Sequence, residues 1–528
     1  MTDTFDHIVI GGGSAGCALA GRLSEAGRGV CLLEAGGMGD STLFKAPAAT
    51  ALVLPRRWQN WGYNTVPQPG LNGRRGYQPR GRVLGGSSSI NAMLYVRGHQ
   101  DDYDEWRDAG CTGWGWDDVL PYFRKAEGNT RGASELHGGD GPLAVSDQRS
   151  PSAIAHAFVE AGTEIQYPRN DDFNGEKQEG FGLYQVTQKD GERWSAARAY
   201  VHPHLDRPNL DVRTKVRVES ILVEDGRAVG VRYRRGSKLE EVRSRGDVVL
   251  SAGAFGSPQI LMLSGIGPAR HLREHGIAVR HESGDVGRNL QDHIDYVLCY
   301  KSDRRDVWGL SAGGTRDLWN DWREWKRTRS GRLTTPFAEG GAFVKTKPDL
   351  DRPDVQLHFV VGLVDDHMRK LHMGHGWSCH VCVLRPHSRG TVKLASSDVR
   401  ADPEIDMGFF SDERDLDTLE RGFHATRQVC EAPALAPWRG EELYTDGTET
   451  SEELREVLRS RADTVYHPVG TCRMGADGAS VVDPQLRLRG VERLRVADAS
   501  VMPTIVGGNT NAPTIMIAEK CAAMMLAD

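Results

Sequence analysis

Phe5-Asp6-His7-Ile8-Val9-Ile10 runs into Gly11-Gly12-Gly13-Ser14-Ala15-Gly16, then Cys17-Ala18-Leu19-Ala20-Gly21-Arg22-Leu23, and Val30-Cys31-Leu32-Leu33-Glu34 follows. The pattern reads as strand, turn, helix, strand, the opening unit of a Rossmann-like α/β fold. Gly11 makes the tight turn, Gly13 lets the backbone approach a pyrophosphate, and Gly16 lets the helix pack on the strand. Phosphates at the helix N-terminus add Ser14 and Ala15 to the cofactor-binding candidates. Glu34 ends the second strand about 18 residues past Gly16, where an acid hydrogen-bonds a ribose hydroxyl and its charge disfavours a 2′-phosphate. A lone glycine turn says little, but the flanking strands, Ala20 four residues after Gly16, and Glu34 together single out a nucleotide site. The overlap of Gly12-Gly13-Ser14-Ala15-Gly16 with a hydrolase nucleophile elbow is discounted, because an elbow follows several strands and leaves Glu34 unexplained. This unit alone does not separate NAD from FAD.

The 528 residues bound the rest. They suffice for several domains, and α/β enzymes of this size often form two large ones. Hydrophobic residues at 39%, counted without the 62 glycines, give a globular composition. Sixty-six Lys and Arg against 72 Asp and Glu leave a net charge of −6, without the basic footprint of a nucleic-acid binder. No run reaches the ~18 apolar residues of a membrane span, and no secretory signal is read at the start. Nine cysteines at irregular spacings form no disulfide framework, so the expected compartment is the cytoplasm.

Three further segments carry a resemblance. Arg80-Gly81-Arg82-Val83-Leu84-Gly85-Gly86-Ser87-Ser88-Ser89-Ile90-Asn91-Ala92 continues to Gly98; Gly253-Ala254-Phe255-Gly256-Ser257-Pro258-Gln259 continues to Gly267. Near the C-terminus stand Tyr466-His467-Pro468-Val469-Gly470-Thr471-Cys472, Val496-Ala497-Asp498 and Gly508-Asn509-Thr510-Asn511-Ala512-Pro513-Thr514. Together with the N-terminal fingerprint they resemble the glucose–methanol–choline (GMC) flavoprotein oxidoreductases along the whole chain, most closely the alcohol and choline dehydrogenase branch. The resemblance implies FAD, contacted by Arg82, Gly86, Asn91 and Ala92, with Asp498 near the ribityl and pyrophosphate portion and Val218 offering its backbone near the adenine. Some members attach the flavin through a histidine at the position matching Ile90; isoleucine cannot do so, and non-covalent FAD is expected. Ser257 and Pro258 themselves read as the N-cap and first position of a helix.

Oxidising an alcohol needs a base for the hydroxyl proton and an acceptor for the hydride. Histidine suits the first task, and a second hydrogen-bonding side chain can hold the developing alkoxide. His467 and Asn511 resemble the family's His–Asn pair. Asn509 competes with Asn511, since the two share a face on an extended segment. Glu339 could orient His467 or contact substrate; a surface carboxylate explains it equally well. Cys379-His380-Val381-Cys382 reads as a strand that points its cysteines to opposite faces, and no metal is expected.

The FAD-binding domain is expected from residues 1–150, 200–295 and 455–528. A substrate domain from 151–199 and 296–454 would pair an antiparallel sheet with covering helices, an arrangement implied by the resemblance. Tyr184–Gln188 and Val355–Phe359 alternate like half-buried strands. Trp319, Trp322 and Trp325 with the basic residues after them could lie on a membrane surface, although packing against the body is the simpler reading. The expected activity is oxidation of a primary alcohol, aliphatic or aryl, to an aldehyde, with electrons passed to a quinone-like, dye or other non-oxygen acceptor; oxygen is the acceptor only if the protein is an oxidase. Choline as substrate, an oxygen-using oxidase and a non-redox flavin lyase are the alternatives.

Overall fold

The computed structural model of the chain describes residues 3–311 and 314–528. Five strands form an all-parallel sheet in the spatial order Leu210–Arg213, Val30–Leu33, His7–Ile10, Val248–Leu250, Leu494–Val496. In chain order this is 3-2-1-4-5, the doubly wound arrangement whose direction reverses between the first and fourth strands, where a ligand crevice opens at their carboxyl ends. Every residue of Val30–Leu33 and Val248–Leu250 is buried, as continuous apolar strands covered on both faces must be. The helix Ser14–Glu25 links the first two strands and packs against the C-terminal helix Asn511–Ala527. Buried Glu519 fixes that contact, accepting from Arg22 Nε at 2.9 Å and from the Tyr200 hydroxyl at 2.8 Å.

A second sheet sets Ile294–Ser302, Gly374–Val383, Val355–Val360, Ala338–Val344 and Gly180–Leu183 side by side, all antiparallel. Helices Ala153–Glu164 and Glu413–Glu431 pack on one face, over Val355, Leu357, Phe359, Trp377, Cys379 and Val381. The alternate residues His358, Val360 and His380 face a cavity. Val355–Val360 is therefore a strand as expected, but buried throughout rather than half-buried, because its second face is also covered. Cys379 and Cys382 fall in different apolar clusters on opposite sides of their strand. The mixed α/β class is the expected one.

Other expectations shift. The strand expected at Tyr184–Gln188 instead occupies Gly180–Leu183, and Tyr184 turns its hydroxyl to the Leu357 carbonyl at 2.8 Å. Ser257 is not an N-cap: the helix runs Gly253–Leu263 and holds Pro258 in its interior. Proline there leaves the Ala254 carbonyl without its helical N–H, and the Thr471 hydroxyl donates to that oxygen at 2.6 Å instead. In the helix Gly314–Thr328, Trp325 is buried and donates to the Gly191 carbonyl at 2.8 Å, whereas Trp319 is 61% exposed. Among the described residues no helix is long and apolar enough to cross a membrane.

Candidate active site

The crevice at the strand reversal deepens into a cavity lined by the glycine turn, by Trp61 and Val218, and by His358, His380 and His467. Gly11 makes the turn with φ +97°; a Cβ there would lie 2.5 Å from the Ser251 carbonyl oxygen. Gly13, the N-cap of Ser14–Glu25, brings no side-chain acceptor, so the first-turn amides at Ser14 and Ala15 open on the cavity. Gly16 stands behind them: its Cβ would fall 1.8 Å from the Gly11 oxygen, and its absence lets helix meet strand. Glu34 accepts from the amides of Gly12 at 2.9 Å and Gly36 at 2.6 Å, and burial pushes its carboxyl up to about 7.

Gly86 presses the second glycine segment against the first; a Cβ on it would meet Gly13 Cα at 2.7 Å. Asn91 and Ala92 line the cavity beyond it, with Asn91 Oδ1 accepting from Arg193 at 2.8 Å. Asp498 lines it too, its carboxylate accepting from the Gly253 amide at 2.8 Å and from Ser257 Oγ; burial raises its pKa.

Arg82 is not among the residues lining the cavity: its guanidinium lies over the Trp61 ring, 5.4 Å from the centroid. Glu339 does not reach His467. A bulge between Ala338 and Gly340 turns its carboxylate to the start of Ala153–Glu164, where it accepts from the Ser152 amide at 2.7 Å and from Thr335 Oγ1 at 2.6 Å. A carboxylate at a helix N-terminus is electrostatically at home there. Nor do Asn509 and Asn511 share a face. The C-terminal helix begins at Asn511, which accepts from Ser14 Oγ at 2.8 Å, while Asn509 precedes the helix and meets His467.

Four side chains and a carbonyl form one chain of hydrogen bonds. The Val506 carbonyl can only accept, so His293 Nε2, 3.1 Å away, carries a proton. His293 Nδ1 then offers a lone pair and accepts from His467 Nδ1–H at 3.0 Å. That leaves His467 Nε2 as the basic nitrogen, to which Asn509 Nδ2 donates at 3.1 Å; Gln356 Nε2 fixes that amide by donating to its Oδ1 at 3.0 Å. Burial pulls His293 down to about 4, and burial followed by the neighbouring His293 and His358 holds His467 well below the usual imidazole range, so both rings are neutral. Asp292 accepts the His467 amide at 2.8 Å and the Thr464 hydroxyl, and burial pushes its carboxyl up to about 7. Sequence reasoning missed His293 and Gln356. The only local sign of His293 was its place between two acids, Asp292 and Asp295.

Residues 5–295 match a family model described as GMC oxidoreductase, and residues 386–518 match a second of the same description. Alcohol dehydrogenase (acceptor) of Pseudomonas putida is 46% identical over 531 residues, covering 99% of this chain and 96% of that protein. Oxygen-dependent choline dehydrogenase of Rhizobium meliloti is 42% identical over 535 residues, covering 99% and 95%. The solved structure of pyridoxine 4-oxidase from Mesorbium loti superposes with a TM-score of 0.89 at 32% identity, covering 99% of each chain.

Proposed function

The chain belongs to the GMC oxidoreductase family, and from that premise we propose that it oxidises a primary alcohol to the aldehyde with non-covalently bound FAD, passing electrons to a quinone-like or other non-oxygen acceptor. It is an oxidoreductase acting on CH–OH donors, of a family that depends on FAD. When bound, FAD supplies the hydride acceptor.

The residues fit that group. The Gly11 turn and the open amides of Ser14 and Ala15 suit a diphosphate, and Gly86 gives the same region a second backbone wall without a Cβ. Each Glu34 oxygen holds one backbone donor and keeps a lone pair for a ribose hydroxyl. Val218 serves the adenine through its backbone, Asn91 and Ala92 the ring system, and Asp498 holds the Gly253 amide beside the phosphates. Ile90 lines the cavity and has no nitrogen through which a covalent bond could form. On this reading residues 1–150, 200–295 and 455–528 hold the cofactor, and 151–199 with 296–454 cover the substrate. Nine buried free cysteines support a reducing, cytoplasmic setting.

The observation that carries the reading is the His293–His467–Asn509 chain at the wall of the cavity. His467 Nε2 takes the hydroxyl proton, and His293 holds the ring in the tautomer that can do so. The alkoxide-stabilising role expected of Asn511 passes to Asn509, whose amide N–H already points at the Nε2 position. Among the described residues the acids lining the cavity are Glu34, Asp402 and Asp498, each beside the nucleotide-side elements, so among them a quaternary ammonium near His467 meets no lining carboxylate. That favours an uncharged alcohol over choline.

Anaerobic mixing of the purified flavoprotein with short, long, aromatic and quaternary-ammonium alcohols, followed at the oxidised flavin band, tests this. An uncharged alcohol is expected to bleach the band, with slow recovery in air. His467→Ala is expected to keep FAD and lose bleaching; normal reduction in that variant removes His467 from the chemistry.

A further inference from the structure

We propose that the outer face of the helix Gly314–Thr328, with the apolar edges beside it, docks the protein on an anionic lipid bilayer. Exposure, charge and position carry this, independently of which alcohol reduces the flavin.

Of the ten large apolar side chains exposed among the described residues, seven fall in three short stretches, 52–58, 310–319 and 371–373. These stretches meet in space. Leu310 bridges Met373, Arg305 holds Asp317 of the helix at 3.5 Å, and the turn Pro47–Ala49 packs on the turn Arg332–Thr334 that follows the helix. They also adjoin the cavity wall, to which Thr50 and Leu54 on either side of Leu52 contribute, as do Phe337 beyond the helix and Met368 just before Leu371.

Trp325 is the buried anchor of the helix. Trp319, Trp322, Arg323, Lys326 and Arg327 recur at spacings of three and four, which gathers them on one face. Arg323, Lys326 and Arg327 are exposed, and none has a carboxylate partner among the described residues. Lys326 stands instead over the half-buried Trp322 ring, 4.9 Å from its centroid. The acids of the helix are engaged elsewhere: Asp317 pairs with Arg305, Asp321 lies 3.7 Å from Arg332, and the Glu324 carboxyl packs on Gly331, where an added Cβ would meet its Cδ at 2.6 Å. On the neighbouring stretch, exposed Arg56 holds only the Leu52 carbonyl.

An anionic bilayer answers both halves of this composition. Tryptophan settles at the boundary of headgroups and acyl chains, and lysine and arginine are drawn to the negative surface. A zwitterionic bilayer offers the first without the net charge that draws the second. A symmetric contact with a second copy of the chain would set the three cations against their like. The whole chain, at a net charge of −6, is repelled by an anionic surface, so attraction has to come from a local face of this kind.

The test is co-sedimentation of the flavin-loaded protein with vesicles of phosphatidylcholine alone and of an equal mixture with phosphatidylglycerol. Binding to the mixed vesicles is expected, with little to the neutral ones and release by high salt, which screens the attraction. The triple variant Arg323→Gln, Lys326→Gln, Arg327→Gln and the single variant Trp319→Ser are each expected to weaken that binding at least about ten-fold. Leu239→Ser, at an exposed apolar position outside the three stretches, is expected to bind like the parent. All three should keep the parent's melting temperature and its turnover of a water-soluble alcohol. Failure of the parent to bind mixed vesicles, equal binding to both kinds, or a triple variant that binds like the parent overturns the proposal. So does a dimer that Trp319→Ser splits while vesicles go unbound, since the face then belongs to a second copy. Vesicle binding is scored without turnover, so a protein that reduces its flavin with no alcohol defeats the alcohol-oxidising reading and leaves this test intact.

Discussion

Asn509 donates to His467 Nε2, while Asn511, two residues on, accepts from Ser14 Oγ, so removing each amide disturbs a different part of the molecule. Asn509→Ala is expected to lower kcat/KM by about 10²-fold with flavin content intact. Asn511→Ala is expected to show the opposite balance: loss of flavin on gel filtration, with reduction normal in the fraction that stays loaded. Asp292 gives a pH signature. Its folded pKa of about 7 stands above the ordinary value of 3.8, so the folded chain binds a proton that the unfolded chain releases, and stability falls as pH rises between those values. Melting temperatures of Asp292→Asn and the parent should therefore move in favour of the variant as pH climbs from about 4 to 7; a constant difference would show an unperturbed carboxyl. At this scale His467 was readable from its own segment, whereas the choice between two asparagines depended on where a helix begins. His293 lies 174 residues from the ring it orients, and its place between two acids says nothing of that partner.

Two glycines of one turn make an element-scale contrast. A Cβ on Gly16 would strike the Gly11 oxygen at 1.8 Å, but one on Gly13 would find its nearest neighbour, the Ser251 oxygen, at 3.9 Å. Gly16→Ala is expected to destabilise the protein by about 1–3 kcal/mol in denaturant titration. Gly13→Ala should leave the unfolding of the flavin-free chain nearly unchanged and weaken FAD binding, read by flavin titration, because the methyl enters the diphosphate approach. Thr471→Val strands the Ala254 carbonyl within Gly253–Leu263 and is expected to cost about 1–3 kcal/mol. The strand–turn–helix unit at the N-terminus was legible because its chemistry is local. The helix at Pro258 was misread because the hydroxyl that makes an internal proline tolerable comes from Thr471, over 200 residues away in the chain.

At the scale of the whole molecule the 3-2-1-4-5 order and the second sheet depend on pairings between distant segments, which residue patterns do not specify; the resemblance implied a Rossmann-like domain of separated segments and an antiparallel second sheet, but not the strand order. Distant segments also meet at buried Asp102, which accepts from the amides of Gly507 and His99 at 2.7 and 2.8 Å and from Arg385 Nε at 2.9 Å. Asp102→Ala leaves Arg385 and Arg352 without their shared anion and is expected to cost about 3 kcal/mol. Because Gly507 lies two residues before Asn509, lowered kcat/KM should accompany the lowered melting temperature.

The Val506 carbonyl ends the His293–His467 chain, and a carbonyl hands no proton onward. His467 thus sits at the head of a cul-de-sac: a proton gained at Nε2 can be shared as far as His293 and no farther. It must leave from Nε2, the same atom that received it, so within each turnover that one nitrogen faces first the reactant and then whatever carries the proton off.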